Sequence, residues 1–259
     1  MDLRSEVFMA PQDVASNTLT HSTEAQTKRG SIDLAHLDPQ PLLDPLAHVG
    51  RETISYKRKL FHVLGIGCVG VTYGYSQASP MFVLGILAVV TFIFSGLDIL
   101  RFYVPSLKAR VRRDFGPFMR NYELDRLSGS SWFLFAALIT VALYSREAAA
   151  LAFVYLAIGD PLASWVGVRW GRTKLPGGKS LEGSLALFLS ASVVGVAYLL
   201  GGQALGTLAP LALPAIAFLA IGGALAAAFS EWLPLRGLDD NFVVPVVTGG
   251  VITLLQLAV

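Results

Sequence analysis

Residues 80–100 read PMFVLGILAVVTFIFSGLDIL, an unbroken apolar run whose one charge, Asp98, stands near its end. A helix rises 1.5 Å per residue, so about 20 residues cross a hydrocarbon core of about 30 Å. The segment therefore reads as a membrane span. The whole chain agrees: of 259 residues, 54% are hydrophobic and 15% charged, with a mean hydropathy of +0.59, too apolar for a soluble domain of this length. Six further apolar runs occupy 60–78, 130–146, 148–168, 184–202, 207–229 and 242–259. The run at 130–146 is short, and 148–168 contains Asp160-Pro161. The expected fold is all-α, a polytopic bundle of about seven transmembrane helices.

Charge placement gives the bundle a direction, because Lys and Arg accumulate on the cytoplasmic side of membrane proteins. Nineteen of the 20 Lys and Arg fall before the first run or in alternate loops after it, Arg236 among them, and Arg146 is the exception. This predicts an inner N-terminus and an outer C-terminus, in a cell inner membrane or an ER or plastid membrane. The acids follow the same side: after residue 59 only Glu147 falls in an outer loop. Polar chemistry is therefore expected at the cytosolic surface.

Other classes drop out. The single Cys68 cannot form an intramolecular disulfide, and no Asn-x-Ser/Thr acceptor occurs, which excludes a secreted disulfide-built fold. A formal net charge of +2 implies no nucleic-acid partner. Residues 1–56 are rich in polar residues and Pro and hold no signal-peptide core, so they read as a disordered cytosolic tail ahead of a membrane domain at 57–259. Leu42 to Val49 suits a short amphipathic helix or a Pro-interrupted linker equally well.

Two nucleotide motifs fail. Gly65-Ile-Gly67-Cys-Val-Gly70 fits the dinucleotide fingerprint but lies inside an apolar helix, with no strand before it, and reads as helix-packing glycine. Gly178-Lys179-Ser180 resembles the end of a phosphate-binding P-loop, yet Thr173 stands where the first glycine belongs.

The strongest cluster is Gly159-Asp160-Pro161 with Gly167, Gly171 and Lys174, then Gly177, Gly178, Lys179, Ser180, Glu182 and Gly183. Asp160 lies nine residues from Arg169, roughly 13 Å below the interface in a continuous helix. A carboxylate at that depth is costly unless it meets a cation. Pro161 lacks an N–H and disfavours helix at Asp160, so a break or re-entrant turn is expected there. The glycines allow close backbone approach, and Lys174 and Lys179 supply cations for phosphate, as a Mg²⁺-nucleotide site requires. A basic loop beside a structural Asp is the plainer alternative. Lys59 and His62 share a helical face beside Arg58. Asp98-x-x-Arg101 and Arg120-x-x-Glu123-x-x-Arg126 have spacings that also suit surface ion pairs of little worth. Glu231, Asp239, Asp240 and Asn241 place three carboxylates in the last inner loop, opposed there by Arg236 alone, and suggest a divalent cation.

In order, these pieces resemble the family of CTP-dependent lipid-alcohol kinases that includes dolichol kinase, phytol kinase and CTP-using diacylglycerol kinase: Arg58-Lys59-x-Phe61-His62, Asp98-x-x-Arg101, Glu123-x-x-Arg126-x-Ser128-Gly129, Gly159-Asp160 through Gly171, Lys179-Ser180-x-Glu182-Gly183, and Glu231 with Asp239-Asp240-Asn241. The likeness spans about 57–246. Phosphatidate cytidylyltransferases share the Gly-Asp and Lys-Ser-x-Glu-Gly pieces, but their Lys-Asp segment and His-Gly-Gly tail are missing here. The resemblance implies transfer of the CTP γ-phosphoryl group to the hydroxyl of a polyprenol, phytol or diacylglycerol. It places Mg²⁺ on Asp160, Asp239 and Asp240. Phosphates fall to Lys174 and Lys179, the nucleotide to a loop from Gly167 to Gly183, and the alcohol's proton to Asp160 or Asp240. Cytidylyl transfer and ion-coupled transport are the alternatives, and a homodimer is left open.

Overall fold

A computed structural model describes residues 56–175, 178–233, 235 and 237–259; the expected tail, Gly177 and Arg236 lie outside the described residues. Eight α-helices form among them. We number them α1 (Tyr56–Tyr75), α2 (Pro80–Leu100), α3 (Pro105–Phe115), α4 (Gly129–Leu143), α5 (Arg146–Trp170), α6 (Leu181–Ala204), α7 (Leu213–Ser230) and α8 (Asp240–Leu255). Short 3₁₀ turns follow at Gly116–Phe118, Asn121–Leu124 and Gln256–Ala258. No strand forms among the described residues, where an isolated bridge pairs Lys174 with Ser180.

Each of the seven apolar runs overlaps a helix, the run 207–229 only from Leu213 onward, and the described residues form an all-α membrane bundle. Five of the helices, α2, α5, α6, α7 and α8 with its terminal turn, are long and apolar enough to cross a membrane. The other two differ for plain reasons. The 15 residues of α4 rise about 22 Å, short of a hydrocarbon core. Helix α1 opens with Lys57, Arg58 and Lys59.

Polar caps start most helices, since the first N–H groups of a helix need acceptors. Ser79 accepts from Phe82, Ser128 from Ser131, Ser145 from Ala148, Ser180 from Gly183 and Asp239 from Asn241. Three of these caps, Ser128, Ser180 and Asp239, belong to the motif pieces.

Helix α5 is the axis of the bundle. Ala148 to Ala157 are almost fully buried, and α5 packs against α1, α6 and α8, with α7 bridging α6 and α8. The small residues of this stretch let neighbouring backbones approach closely. Gly70 uses that approach: a Cβ there would lie 3.0 Å from Val154 and 3.1 Å from Phe153. The apparent dinucleotide fingerprint thus includes a packing contact with α5. Helix α2 packs chiefly on α4 and exposes Phe82, Ile86, Val89, Phe92 and Ile93, as a lipid-facing helix does. The exceptional Arg146 has a local task, since its guanidinium donates to the carbonyls of Ser76 and Ala78 and closes the turn between α1 and α2.

The expected break at Pro161 is absent. One helix runs from Arg146 to Trp170 with Pro161 inside it. Helix α1 packs on this stretch from two positions one turn apart: Lys59 Nζ donates to Pro161 O at 2.8 Å, and His62 Nε2 lies 3.3 Å from Leu156 O.

Candidate active site

Four elements meet beside Pro161. Asp160 comes from α5, Glu231 caps the end of α7, Asp240 opens α8, and Lys179 precedes α6. One carboxylate oxygen from each of Asp160, Glu231 and Asp240 lies within 4.8 Å of the other two. Lys179 Nζ stands among them, 2.6 Å from Asp240 Oδ2 and 3.4 Å from Glu231 Oε1. The Glu231 side chain is only 3% exposed, so its charge is affordable only beside that ammonium. Burial pushes Glu231 up to about 7, against the pull of Lys179, and Asp240 and Asp160 add to the rise. Burial works against Lys179 as well, but the three carboxylates outweigh it and hold its pKa above the usual lysine value.

Helix α1 supplies further positive charge. His62 Nε2 is 3.8 Å from Asp160 Oδ2, and Arg58 faces Asp160 and Glu123. The sequence pairing of Lys59 with His62 therefore becomes a polar face of α1 against α5.

Asp239 takes another direction from its expected partners. Its Oδ1 accepts from the N–H of Asn241 at 3.0 Å and from Asn241 Nδ2 at 2.7 Å, which caps α8. Its Oδ2 faces Arg120 Nη1 at 3.4 Å. Of the three carboxylates expected to hold a metal, Asp160 and Asp240 come together, with Glu231 beside them, while Asp239 caps α8. Consecutive residues at a helix start point their side chains apart, and Glu231 arrives from a different helix. The expectation that Arg236 alone opposes these acids also fails, since Lys179 and Arg120 face them from distant parts of the chain.

The pair Asp98 and Arg101 corrects the reading as a surface contact. Arg101 is 1% exposed and its Nε donates to Asp98 Oδ1 at 2.6 Å. Its remaining donors reach the carbonyls of Leu124 at 3.1 Å, Glu123 at 2.6 Å and Arg126 at 2.6 Å. Asp98 Oδ2 accepts from the Ser128 N–H at 2.8 Å and the Ser131 hydroxyl at 2.7 Å. The loop before α4 is thereby stitched to the end of α2. Arg126 contributes its carbonyl, and its side chain is exposed.

Glu123 completes this loop by accepting from the N–H groups of Arg120 at 2.6 Å and Gly129 at 3.0 Å. Gly129 must be small: a Cβ there would lie 2.5 Å from Asn241 Nδ2. Gly129→Ala is expected to cost about 1–3 kcal/mol of stability through this clash. Thermal unfolding beside Gly85→Ala, whose Cβ meets nothing within 4 Å, checks it; equal melting temperatures would contradict the contact.

The glycine segment packs closely. A Cβ on Gly171 would meet Gly167 O at 2.2 Å and Ser180 Oγ at 2.7 Å, and one on Gly183 would meet Ala163 O at 2.9 Å. Gly167, Gly171 and Gly183 therefore let α5 and the start of α6 close around Ser180. Gly178, at φ 74°, makes the turn that brings Lys179 back toward the carboxylates. Glu182 accepts from Thr173 N–H at 3.1 Å, and the exposed Lys174 donates to Gly171 O at 3.3 Å. Lys179 reaches the cluster, whereas Lys174 and Glu182 stay with the turn.

The donor set suits a hard divalent cation. Mg²⁺ takes oxygen ligands at about 2.0–2.1 Å in octahedral geometry, so its ligands lie about 3–4 Å apart. Three carboxylate oxygens within 4.8 Å, from three separate elements, need little movement to meet that demand. The cations around them, Lys179 and Arg120, are placed for an anion beside such an ion.

No family profile and no solved structure matches the chain. Curated proteins do. A Schizosaccharomyces pombe protein named CTP-dependent diacylglycerol kinase 1 is 29% identical over 193 residues, covering 72% of this chain and 85% of that one. A Saccharomyces cerevisiae protein of the same name is 26% identical over 208 residues, covering 74% and 70%. One from Eremothecium gossypii is 27% identical over 166 residues, covering 59% and 52%. These relatives support the lipid-kinase family to which the six ordered pieces point.

Proposed function

We propose that this chain, as a relative of CTP-dependent diacylglycerol kinases, is an integral membrane kinase that transfers the γ-phosphoryl group of CTP to a lipid alcohol. The acceptor is diacylglycerol, the lipid in its relatives' names, in preference to dolichol or phytol. The reaction takes place at the face that carries the basic loops, which we take as cytosolic, with the N-terminus on that side. The observation that carries the reading is the meeting of Asp160, Glu231, Asp240 and Lys179 at one point.

Phosphoryl transfer asks a protein mainly for positioning and charge neutralisation. The lipid hydroxyl attacks the γ-phosphorus, the bond from γ-phosphorus to the β-bridging oxygen breaks, and CDP leaves. The hydroxyl proton passes to a cluster carboxylate, Asp160 or Asp240. Asp160, Glu231 and Asp240 would hold Mg²⁺, which when bound neutralises triphosphate charge. Lys179 turns from Asp240 toward the phosphates, and His62 and Lys59 fix α1 against α5 beside the reacting oxygens.

Purified protein in mixed micelles with diacylglycerol is expected to yield lipid labelled from γ-labelled CTP, with CDP as coproduct. Parallel arms with ATP, polyprenol, phytol and geranylgeraniol test the nucleotide and the acceptor. Pyrophosphate release with α-label in the lipid would mean cytidylyl transfer instead, and no labelled lipid in any arm would end the kinase reading.

A further inference from the structure

We infer that Arg120 holds the nucleotide's phosphates and that the buried Asp98–Arg101 pair positions it for that task; the inference rests on the kinase reading above. Arg120 belongs to none of the residues that the motifs nominate for the site, yet it lies at its edge. Its Nη1 donates to no carboxylate at close range: Asp239 Oδ2 is at 3.4 Å, longer than the roughly 2.7–2.9 Å of a committed charged hydrogen bond. Asp239 meanwhile spends its other oxygen on Asn241. The Arg120 side chain is 22% exposed, so it is open to a ligand while most of its surface is covered.

Asp239, Asp160 and Glu123 hold the Arg120 guanidinium charged, and Arg58 stands close enough to offer a second guanidinium to a phosphate placed beside Asp160. The planar guanidinium fork matches phosphate oxygens in pairs, which a lysine ammonium cannot do. Lys179 approaches the carboxylates from the turn before α6, and Arg120 from the loop before α4. A polyphosphate lying across Asp160 would meet one cation from each.

The loop's construction explains how Arg120 keeps this position. Glu123 clamps the Arg120 N–H at 2.6 Å, and Arg101 holds the carbonyls of Glu123, Leu124 and Arg126. Arg120 Nη1 also donates to the Tyr122 hydroxyl at 2.5 Å. A guanidinium as buried as Arg101 needs every donor satisfied, and this loop supplies the acceptors. Asp98 and Arg101 therefore act through Arg120 as positioning residues.

The test compares affinities for CMP and for a CTP analogue with carbon in place of the β,γ-bridging oxygen, using full-length protein in lipid nanodiscs. Arg120→Gln should lower affinity for the analogue about 10- to 100-fold, leave CMP binding unchanged, and keep the wild-type melting temperature. Arg120→Lys should recover part of the loss, because it keeps the charge without the fork. Asp98→Asn preserves shape while loosening Arg101, and should lower the analogue-to-CMP preference in the same direction. A wild-type preference that survives Arg120→Gln overturns the inference alone, and one that survives Asp98→Asn overturns the positioning role. A wild-type chain that binds the analogue no better than CMP overturns the kinase reading and this inference with it.

Discussion

Asp160→Asn is expected to lower CTP-dependent lipid phosphorylation per folded molecule by about 10²- to 10³-fold, the usual worth of one group that stabilises transition-state charge. The substitution keeps the side-chain volume and removes the carboxylate that shares a site with Glu231 and Asp240. Loss should appear in the turnover number, since the missing charge acts where the phosphoryl group moves. Lys179→Ala should instead raise the KM for CTP, because the ammonium beside Asp240 is the cation nearest the cluster. Glu147→Gln, in the first turn of α5 at the opposite end of the bundle, should change neither. If Asp160 only supports the fold, the Asn variant melts lower but keeps full specific activity. Rates measured on the folded fraction separate the two outcomes.

The largest effect on stability is expected at Arg101. Arg101→Ala leaves Asp98 ionised without its partner and strips donors from three carbonyls. Removing one member of a buried ion pair costs about 3–5 kcal/mol, a large share of the net stability of most proteins. The variant should accumulate poorly or melt far below the wild type in detergent. Arg113→Ala breaks an exposed pair with Asp114 and should leave the melting temperature unchanged. Equal melting of the two variants would contradict the buried latch.

Much of the fold is legible in the sequence because lipid imposes a strong pattern. Runs such as 80–100 can hardly be anything but helices, and each of the seven runs overlaps one. Which of them cross a membrane depends on length and end charges, and α1 and α4 fall outside that class. Pro161 misleads because its missing N–H forbids one regular bond, yet α5 continues through it and is held to α1 there by Lys59, a contact spanning 102 positions. Asp98 and Arg101 mislead similarly: their spacing is that of an exposed helical pair, and only the return of the loop some 22 to 33 residues later buries them.

The candidate site is legible in its residue types and less so in its partnerships. Asp160, Asp240 and Lys179 come together as their chemistry suggests. Adjacent numbering favoured Asp239 as a partner for Asp240, whereas helix-start geometry turns Asp239 toward Asn241 and Arg120. Glu231 joins Asp240 because α7 ends beside the start of α8. The glycines share the capacity for close approach, and among the described residues the group that approaches them is Ser180. Arg120 was visible only as one end of an Arg-x-x-Glu spacing.

The most direct test of the carboxylate cluster is Mn²⁺ titration followed by electron paramagnetic resonance, with CTP present and the lipid omitted. The wild type should bind one ion per chain. Glu231→Gln and Asp240→Asn should each weaken binding strongly, while Asp239→Asn, which still caps α8, should bind as the wild type does. A site that tolerates Glu231→Gln but fails with Asp239→Asn, or a wild type that binds no ion, would contradict the cluster of Asp160, Glu231 and Asp240.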